Sequence, residues 1–243
     1  MSADINFYFD PVCPFAWMTS KWVRMVAAQR DYEAEWRFIS LRQVNAHIDY
    51  DSHFPEGYEA GHTAGLRLLR VAAHTRHDHG NDAVARLYEA LGGRIFESAP
   101  LTDAVGPDGL DHRGTVEFTE SVLTEVGLPT ELAKSLDDED LDPVIQAETD
   151  EALGLTGKDV GTPIIHFQPP EGVAFFGPVI SRLPREEEAA ELWDHVVGLA
   201  GFPGFAELKR SLRELPQLPG LGVEPGDTGA EEDWHGGSRR LKK

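Results

Sequence analysis

Cys13 is the one cysteine in this 243-residue chain, and its neighbours suggest chemistry. It lies between a β-rich run, Ile5–Phe9, and a segment of helical spacing that begins at Pro14. Proline suits the first helical turn, where the missing N–H has no partner. The sulfur should then lie near unpaired N–H groups and the positive end of the helix dipole. We therefore predict a reachable thiolate, with a pKa lowered from about 8.5 into roughly the 3.5–7.5 range.

A second motif, Val160-Gly161-Thr162-Pro163, directly precedes a predicted strand. Proline removes a hydrogen-bond donor from a sheet, so its presence there needs a special reason. A cis Thr162–Pro163 bond would present backbone groups of Thr162 to a molecule docked on the sulfur. The sequence therefore predicts that the two motifs meet at one site.

The elements that must position these motifs fall into three groups. Strands at 5–9 and 34–38 flank a helix at 14–30, which is a βαβ unit. Residues 57–154 show helical spacing but no convincing strand, and Gly, Pro and Asp punctuate them. The third group begins with a hairpin of strands at 163–167 and 173–176. A helix at 185–199 and a short last helix at 204–213 follow it.

This order predicts an α/β protein, a thioredoxin fold with a helical insertion between its βαβ and ββα halves. The predicted boundaries are 1–55 for the N-terminal half, 56–156 for the insertion and 157–215 for the C-terminal half. Residues 216–243 are rich in Pro, Gly and charge, so we predict a disordered tail.

Composition excludes several classes of protein. The net charge of −20 argues against binding nucleic acid, because phosphate contacts need clustered Lys and Arg. One cysteine allows neither an internal disulfide nor a cysteine-based zinc site. No apolar run approaches the roughly 20 residues of a membrane span, and no secretory signal is evident. We therefore expect a cytoplasmic protein without membrane contact.

The chain resembles DsbA-like proteins of the thioredoxin superfamily, and most of all the actinobacterial mycothiol-dependent nitroreductase branch. The resemblance spans roughly residues 5–215 and implies the same fold. Kappa-class glutathione transferases and bacterial isomerases share this architecture. The matching segments are Phe9-Asp10-Pro11-Val12-Cys13-Pro14-Phe15-Ala16-Trp17-Met18-Thr19-Ser20, Ile39-Ser40-Leu41 with Asn45, Asp159-Val160-Gly161-Thr162-Pro163, Val173-Ala174-Phe175-Phe176-Gly177-Pro178-Val179 and Glu207-Leu208-Lys209-Arg210.

One position departs from the family pattern. Related oxidoreductases carry Cys-Pro-x-Cys, whereas this chain has Ala16 at the second cysteine position. A dithiol enzyme resolves its mixed disulfide with its own second thiol, and this protein cannot. An external small thiol must do so instead. The resemblance implies mycothiol, with glutathione and bacillithiol left open, and it calls for no bound metal, flavin or nicotinamide.

The resemblance also assigns roles to the neighbours of Cys13. Phe15 and Trp17 would flank the sulfur and cover an apolar substrate, although a tryptophan on a helix is also a normal core residue. Asn45 and Tyr58 match positions that line the cleft. The remaining candidate binding residues are Pro14, Thr162 and Pro163.

The sequence thus predicts a monothiol DsbA-family oxidoreductase with Cys13 as nucleophile, acting on a small apolar or oxidised substrate. Two alternatives stay open, a kappa-type transferase or isomerase and a binding module that lost turnover, and so does a homodimer. A group of His74, His77, Asp78 and His79 is interpreted as a solvated loop rather than a metal site.

Overall fold

A mixed four-stranded sheet lies at the centre of the protein. The structure is a computed structural model that describes residues 3–99, 105–106, 109–157, 160–210 and 213–232. The central strand β1 pairs in parallel with β2 and antiparallel with β3, which pairs antiparallel with β4. Both faces of β1 are covered, which explains why all five of its residues are buried. The strands are β1 Ile5–Phe9, β2 Ala34–Phe38, β3 Ile164–Phe167 and β4 Ala174–Phe176.

Two helices that belong to the sheet pack against each other. Helix α1, Pro14–Gln29, connects β1 to β2, and helix α8, Glu186–Ala200, follows β4. The rings of Trp22 and Trp193 meet edge to face, with centroids 5.2 Å apart. The Trp22 indole N–H also donates to the Ala189 carbonyl at 2.9 Å. This contact fixes the helix that begins at the cysteine.

The segment between β2 and β3 is helical, as predicted. The ring of Tyr88, in this segment, stacks on the ring of Phe9, the last residue of β1, with the ring centroids 3.8 Å apart. The insertion therefore docks where β1 leads into Cys13. No helix in the described ranges is long and apolar enough to cross a bilayer. The helices are α2 Leu41–Val44, α3 Tyr50–His53, α4 Tyr58–His79, α5 Asn81–Phe96, α6 Val116–Glu125 and α7 Asp142–Thr156, with 3-10 turns at His112–Gly114, Thr130–Asp137 and Glu139–Leu141.

The C-terminal predictions need correction. Residues 204–210 contain no helix, and Leu208 is 84% exposed, so a helix there would have no surface on which to bury an apolar face. The predicted disorder is wrong for 216–232, because Leu218 and Val223 are buried. That segment contains a 3-10 turn at Pro219–Leu221 and a two-stranded sheet of β5 Arg213–Glu214 and β6 Glu231–Glu232. The rest of the predicted tail, 233–243, lies outside the described residues.

Candidate active site

Cys13 is the N-cap of α1. Its backbone is extended, with φ −87° and ψ 113°, and Pro14 occupies the first helical position. The Ala16 N–H points at the sulfur, with a nitrogen-to-Sγ distance of 3.5 Å. The sequence-based placement of the cysteine at the start of the first helix is therefore confirmed.

The Thr162–Pro163 motif lies against this sulfur. The peptide bond is cis, as predicted. The Cys13 thiol donates to the Thr162 carbonyl at 3.4 Å, and the Thr162 hydroxyl donates to the Tyr8 carbonyl at 2.9 Å. The second hydrogen bond anchors the motif to β1, so the strand that leads into the cysteine also positions its partner.

The sulfur is much less accessible than predicted. Cys13 is 7% exposed and belongs to the main hydrophobic core. Burial raises the pKa of its thiol to about 12, and the Asp10 carboxylate acts in the same direction. The N–H groups of Ala16 and Phe15 and the Arg213 guanidinium lower the pKa but do not offset burial. The predicted low pKa and open thiolate are therefore wrong for this structure, because desolvation outweighs the helix terminus.

Asp10 is a residue that sequence reasoning missed. Its fully buried carboxylate accepts the N–H groups of Val12 at 3.0 Å and Leu41 at 2.8 Å. Burial raises its pKa to about 6, although these two hydrogen bonds lower it. Gly65 on α4 lies so close that a Cβ there would collide with this carboxylate. The sequence showed only an Asp-Pro pair at the end of a strand, which is typical of turns and gave no sign of burial.

The raised pKa of Asp10 predicts a pH-dependent stability difference for Asp10→Asn. The pKa of Asp10 in the folded protein, about 6, lies above its ordinary value of 3.8, so folding favours the protonated carboxyl. The contribution of this protonated carboxyl to the free energy of unfolding is complete below pH 3.8 and is lost as the pH rises through 6. That difference corresponds to about 3 kcal/mol. Between pH 4 and pH 7, the free energy of unfolding of Asp10→Asn should rise by roughly this amount relative to the wild type. Urea unfolding at both pH values measures it, and a pH-independent difference would contradict the prediction.

The comparisons with known proteins agree with this geometry. The sequence model of the Rv2466c-like family, described as mycothiol-dependent nitroreductase Rv2466c, matches residues 12–210. The chain belongs to the Rv2466c-like family. Membership confirms the predicted relationship to the mycothiol-dependent nitroreductase branch and an enzyme with thiol-dependent oxidoreductase or transferase chemistry.

Individual relatives of this family member include an uncharacterized protein, Rv2286c, from Mycobacterium tuberculosis. It is 30% identical over 207 residues, which cover 85% of this chain and 81% of the relative. A solved structure from Nitrosomonas europaea, proposed to be a protein disulfide isomerase, has a TM-score of 0.51 at 11% identity and covers 83% of this chain and 100% of that one. The cytosolic disulfide reductase DsbM from Pseudomonas aeruginosa has a TM-score of 0.46 at 12% identity, covering 81% and 99%. The Nitrosomonas similarity confirms the predicted fold.

The aromatic residues next to Cys13 are buried. Phe15 is 6% exposed, and Trp17 is 4% exposed. The Trp17 indole N–H donates to Glu97 at 2.8 Å, and its ring meets Tyr88 edge to face. These contacts place Trp17 between α1 and the insertion and account for it by packing.

Asn45 and Tyr58 both belong to the helical segment between β2 and β3, Asn45 directly after α2 and Tyr58 at the start of α4. The Asn45 amide donates to the Leu41 carbonyl at 2.8 Å, within its own helix. Tyr58 stacks on Phe54 and meets His62, with centroids 5.6 Å and 5.8 Å away. Burial lowers the pKa of His62 to about 4, so its ring is neutral at pH 7. The Leu41 N–H donates to the Asp10 carboxylate, which ties the start of α2 to the residues before Cys13.

The histidine group on α4 is accounted for by local contacts. His74 pairs with Asp78 and shares a hydrogen bond with Ser135, and His77 also pairs with Asp78. Across the described part of the chain, no three His, Cys, Asp or Glu residues are arranged to hold a metal ion. Asp159, which begins one matching motif, lies outside the described residues.

Proposed function

We propose that this family member is a monothiol oxidoreductase that uses mycothiol as its cosubstrate. The observation that carries the proposal is the Cys13 sulfur at the N-cap of α1, in contact with the Thr162 carbonyl. Ala16 stands in the first helical turn, where a resolving cysteine would be. A family described as mycothiol-dependent supplies the identity of the external thiol. The substrate is a small disulfide or oxidised thiol, and the site is cytoplasmic.

The proposed reaction consists of two thiol–disulfide exchanges. The Cys13 thiolate attacks one sulfur of an oxidised substrate R–S–S–R′, forms Cys13–S–S–R and releases R′S⁻, which takes up a proton. Mycothiol, as its thiolate, then attacks the R sulfur and releases the Cys13 thiolate. Overall, one mycothiol and one R–S–S–R′ become one mycothiol–R mixed disulfide and one R′SH, with no net change in oxidation state.

Burial of the thiol sets the condition for the first step. With a pKa of about 12, almost all of the thiol is protonated at neutral pH. The proton must leave and the substrate must reach the sulfur before attack. The Ala16 and Phe15 N–H groups at the helix start lower the thiol pKa, so they are the local groups that favour the thiolate as it forms.

Mixed-disulfide formation tests the proposal. The wild-type protein, incubated with diamide and mycothiol, should gain the mass of one mycothiol less two hydrogens, and peptide mapping should place the adduct on Cys13. Added mycothiol and an oxidised substrate should then turn over, while Cys13→Ser should show neither adduct nor turnover. The absence of any adduct with mycothiol, glutathione or bacillithiol in the wild type would refute the oxidoreductase.

A kappa-type transferase is the second candidate, and the raised pKa favours it. A protonated Cys13 thiol can donate a hydrogen bond, as it does to the Thr162 carbonyl. It could equally donate to the thiolate of a cosubstrate, which would be the nucleophile. In that case Cys13→Ser should conjugate mycothiol to an electrophile at a rate close to that of the wild type, because serine also donates. This result separates the two candidates.

A further inference from the structure

The segment 213–232, here called the C-terminal segment, lies beyond the residues that the family model matches. Several hydrogen bonds fix its position. Glu214 accepts from the Arg182 guanidinium at 2.8 Å, the Ser181 hydroxyl at 3.1 Å and the Gly229 N–H at 3.2 Å. The Gln217 N–H donates to the Ser181 carbonyl at 2.8 Å. The residue before Glu214 is therefore held in a defined place.

That residue, Arg213, carries a half-buried guanidinium. Among the described residues, no carboxylate or carbonyl accepts a hydrogen bond from the Arg213 guanidinium. Other half-buried arginines are paired, such as Arg113 with Asp111 and Arg76 with Glu148. Removing a cation from water without a partner costs free energy, so an unpaired one needs an explanation.

The contacts of Arg213 place it at the cysteine end of the sheet. Its guanidinium lies 5.5 Å from the centre of the Phe176 ring. Phe176 pairs with Ile164 across the sheet, and the Gly177 N–H donates to the Pro163 carbonyl at 2.8 Å. Pro163 adjoins the carbonyl that the Cys13 thiol contacts.

Electrostatics connect the same two residues. Burial lowers the pKa of Arg213, whereas the charge of an ionised Cys13 raises it. The Arg213 guanidinium in turn lowers the pKa of the Cys13 thiol. A neutral thiol has no charge with which to stabilise the guanidinium, whereas a thiolate would balance its positive charge.

We propose that Arg213 is the counter-ion of the Cys13 thiolate, held beside the site by the C-terminal segment. It is a positioning residue that acts on the nucleophile rather than on the substrate. The inference rests on the proposed function and deepens it, since Cys13 needs a counter-ion only where it acts as a thiolate nucleophile. It also explains why an unpaired arginine lies in a protein of strongly negative net charge.

Alkylation of Cys13 tests this directly and needs no mycothiol. The reagents are iodoacetamide, which is neutral, and iodoacetate, which is an anion, and the proteins are the wild type, Arg213→Gln and Arg213→Lys. At a fixed pH below the thiol pKa, Arg213→Gln should react with iodoacetamide about tenfold more slowly, since less thiolate is present. In Arg213→Gln, the rate of alkylation by iodoacetate should fall severalfold more than the rate with iodoacetamide, because the cation that attracts the anionic reagent is gone. Arg213→Lys should keep both rates close to those of the wild type.

Arg210→Gln is the matched control. Arg210 is exposed, lies three positions earlier and changes the net charge equally, so both rates should stay unchanged. A faster iodoacetamide reaction in Arg213→Gln would overturn the proposal, since it would mean that Arg213 merely covers the sulfur. Unchanged rates in Arg213→Gln would overturn it as well. Because neither reagent involves mycothiol, such a failure is distinguishable from a failure to form the mycothiol adduct.

Discussion

Replacing Ala16 by cysteine should give the protein an internal disulfide and a dithiol reductase activity. Ala16 lies one helical turn after Cys13, and its backbone nitrogen is 3.5 Å from the Cys13 sulfur. The Cα atoms of residues three apart in a helix are separated by about 5–6 Å, which suits a disulfide. An internal thiol would replace a bimolecular step, so we expect the mixed disulfide to be released at least about 100-fold faster.

Intact mass after diamide treatment measures this change. Oxidised Ala16→Cys should lose two hydrogens and take up no external thiol, whereas the wild type should carry one mycothiol. Ala28→Cys is the control, because it adds a second thiol at an exposed position near the other end of α1. It should gain an adduct at each cysteine and no internal bond. An Ala16→Cys protein that behaves in the same way would contradict the predicted geometry.

Substituting Gly92 by alanine should destabilise the protein by about 3 kcal/mol, because overpacking a filled core forces ring and backbone shifts. A Cβ at Gly92 would overlap the ring carbons of Trp17. That ring is 4% exposed and is held by the indole hydrogen bond to Glu97, so it has little room to move. The clash reverses the usual effect, in which alanine stabilises a helix relative to glycine.

Gly93 on the same helix supplies the control. A Cβ there meets nothing within 4 Å, so Gly93→Ala should stabilise α5 by roughly 0.5–1 kcal/mol. Guanidinium chloride unfolding of the two variants and the wild type gives both differences. A Gly92→Ala protein as stable as the wild type would show that Trp17 is free to move, and would reopen a substrate-contacting role for it.

The sequence predicted the elements that depend on local patterns. A β-rich run, Cys13, Pro14 and an apolar helical face predicted strand, N-cap and helix, and each is present within a residue or so. The pairing of Cys13 with Thr162 followed from two proline motifs at fixed places in a familiar order of strands and helices. The strand, the N-cap and the helix are determined locally, because proline, helix capping and strand alternation act over a few residues, whereas the pairing of the two motifs followed from the order of the elements.

The environment of the sulfur was decided by the tertiary structure alone. The helix terminus predicted a low thiol pKa, but neighbours from distant parts of the chain bury Cys13 and raise that pKa. The Asp10 carboxylate is packed against Gly65 on the insertion, and Arg213 is held by a segment, 213–232, that folds back onto residues 181 and 182. Desolvation is the sum of contacts with many residues far apart in the chain, so no local pattern could have shown its size or sign.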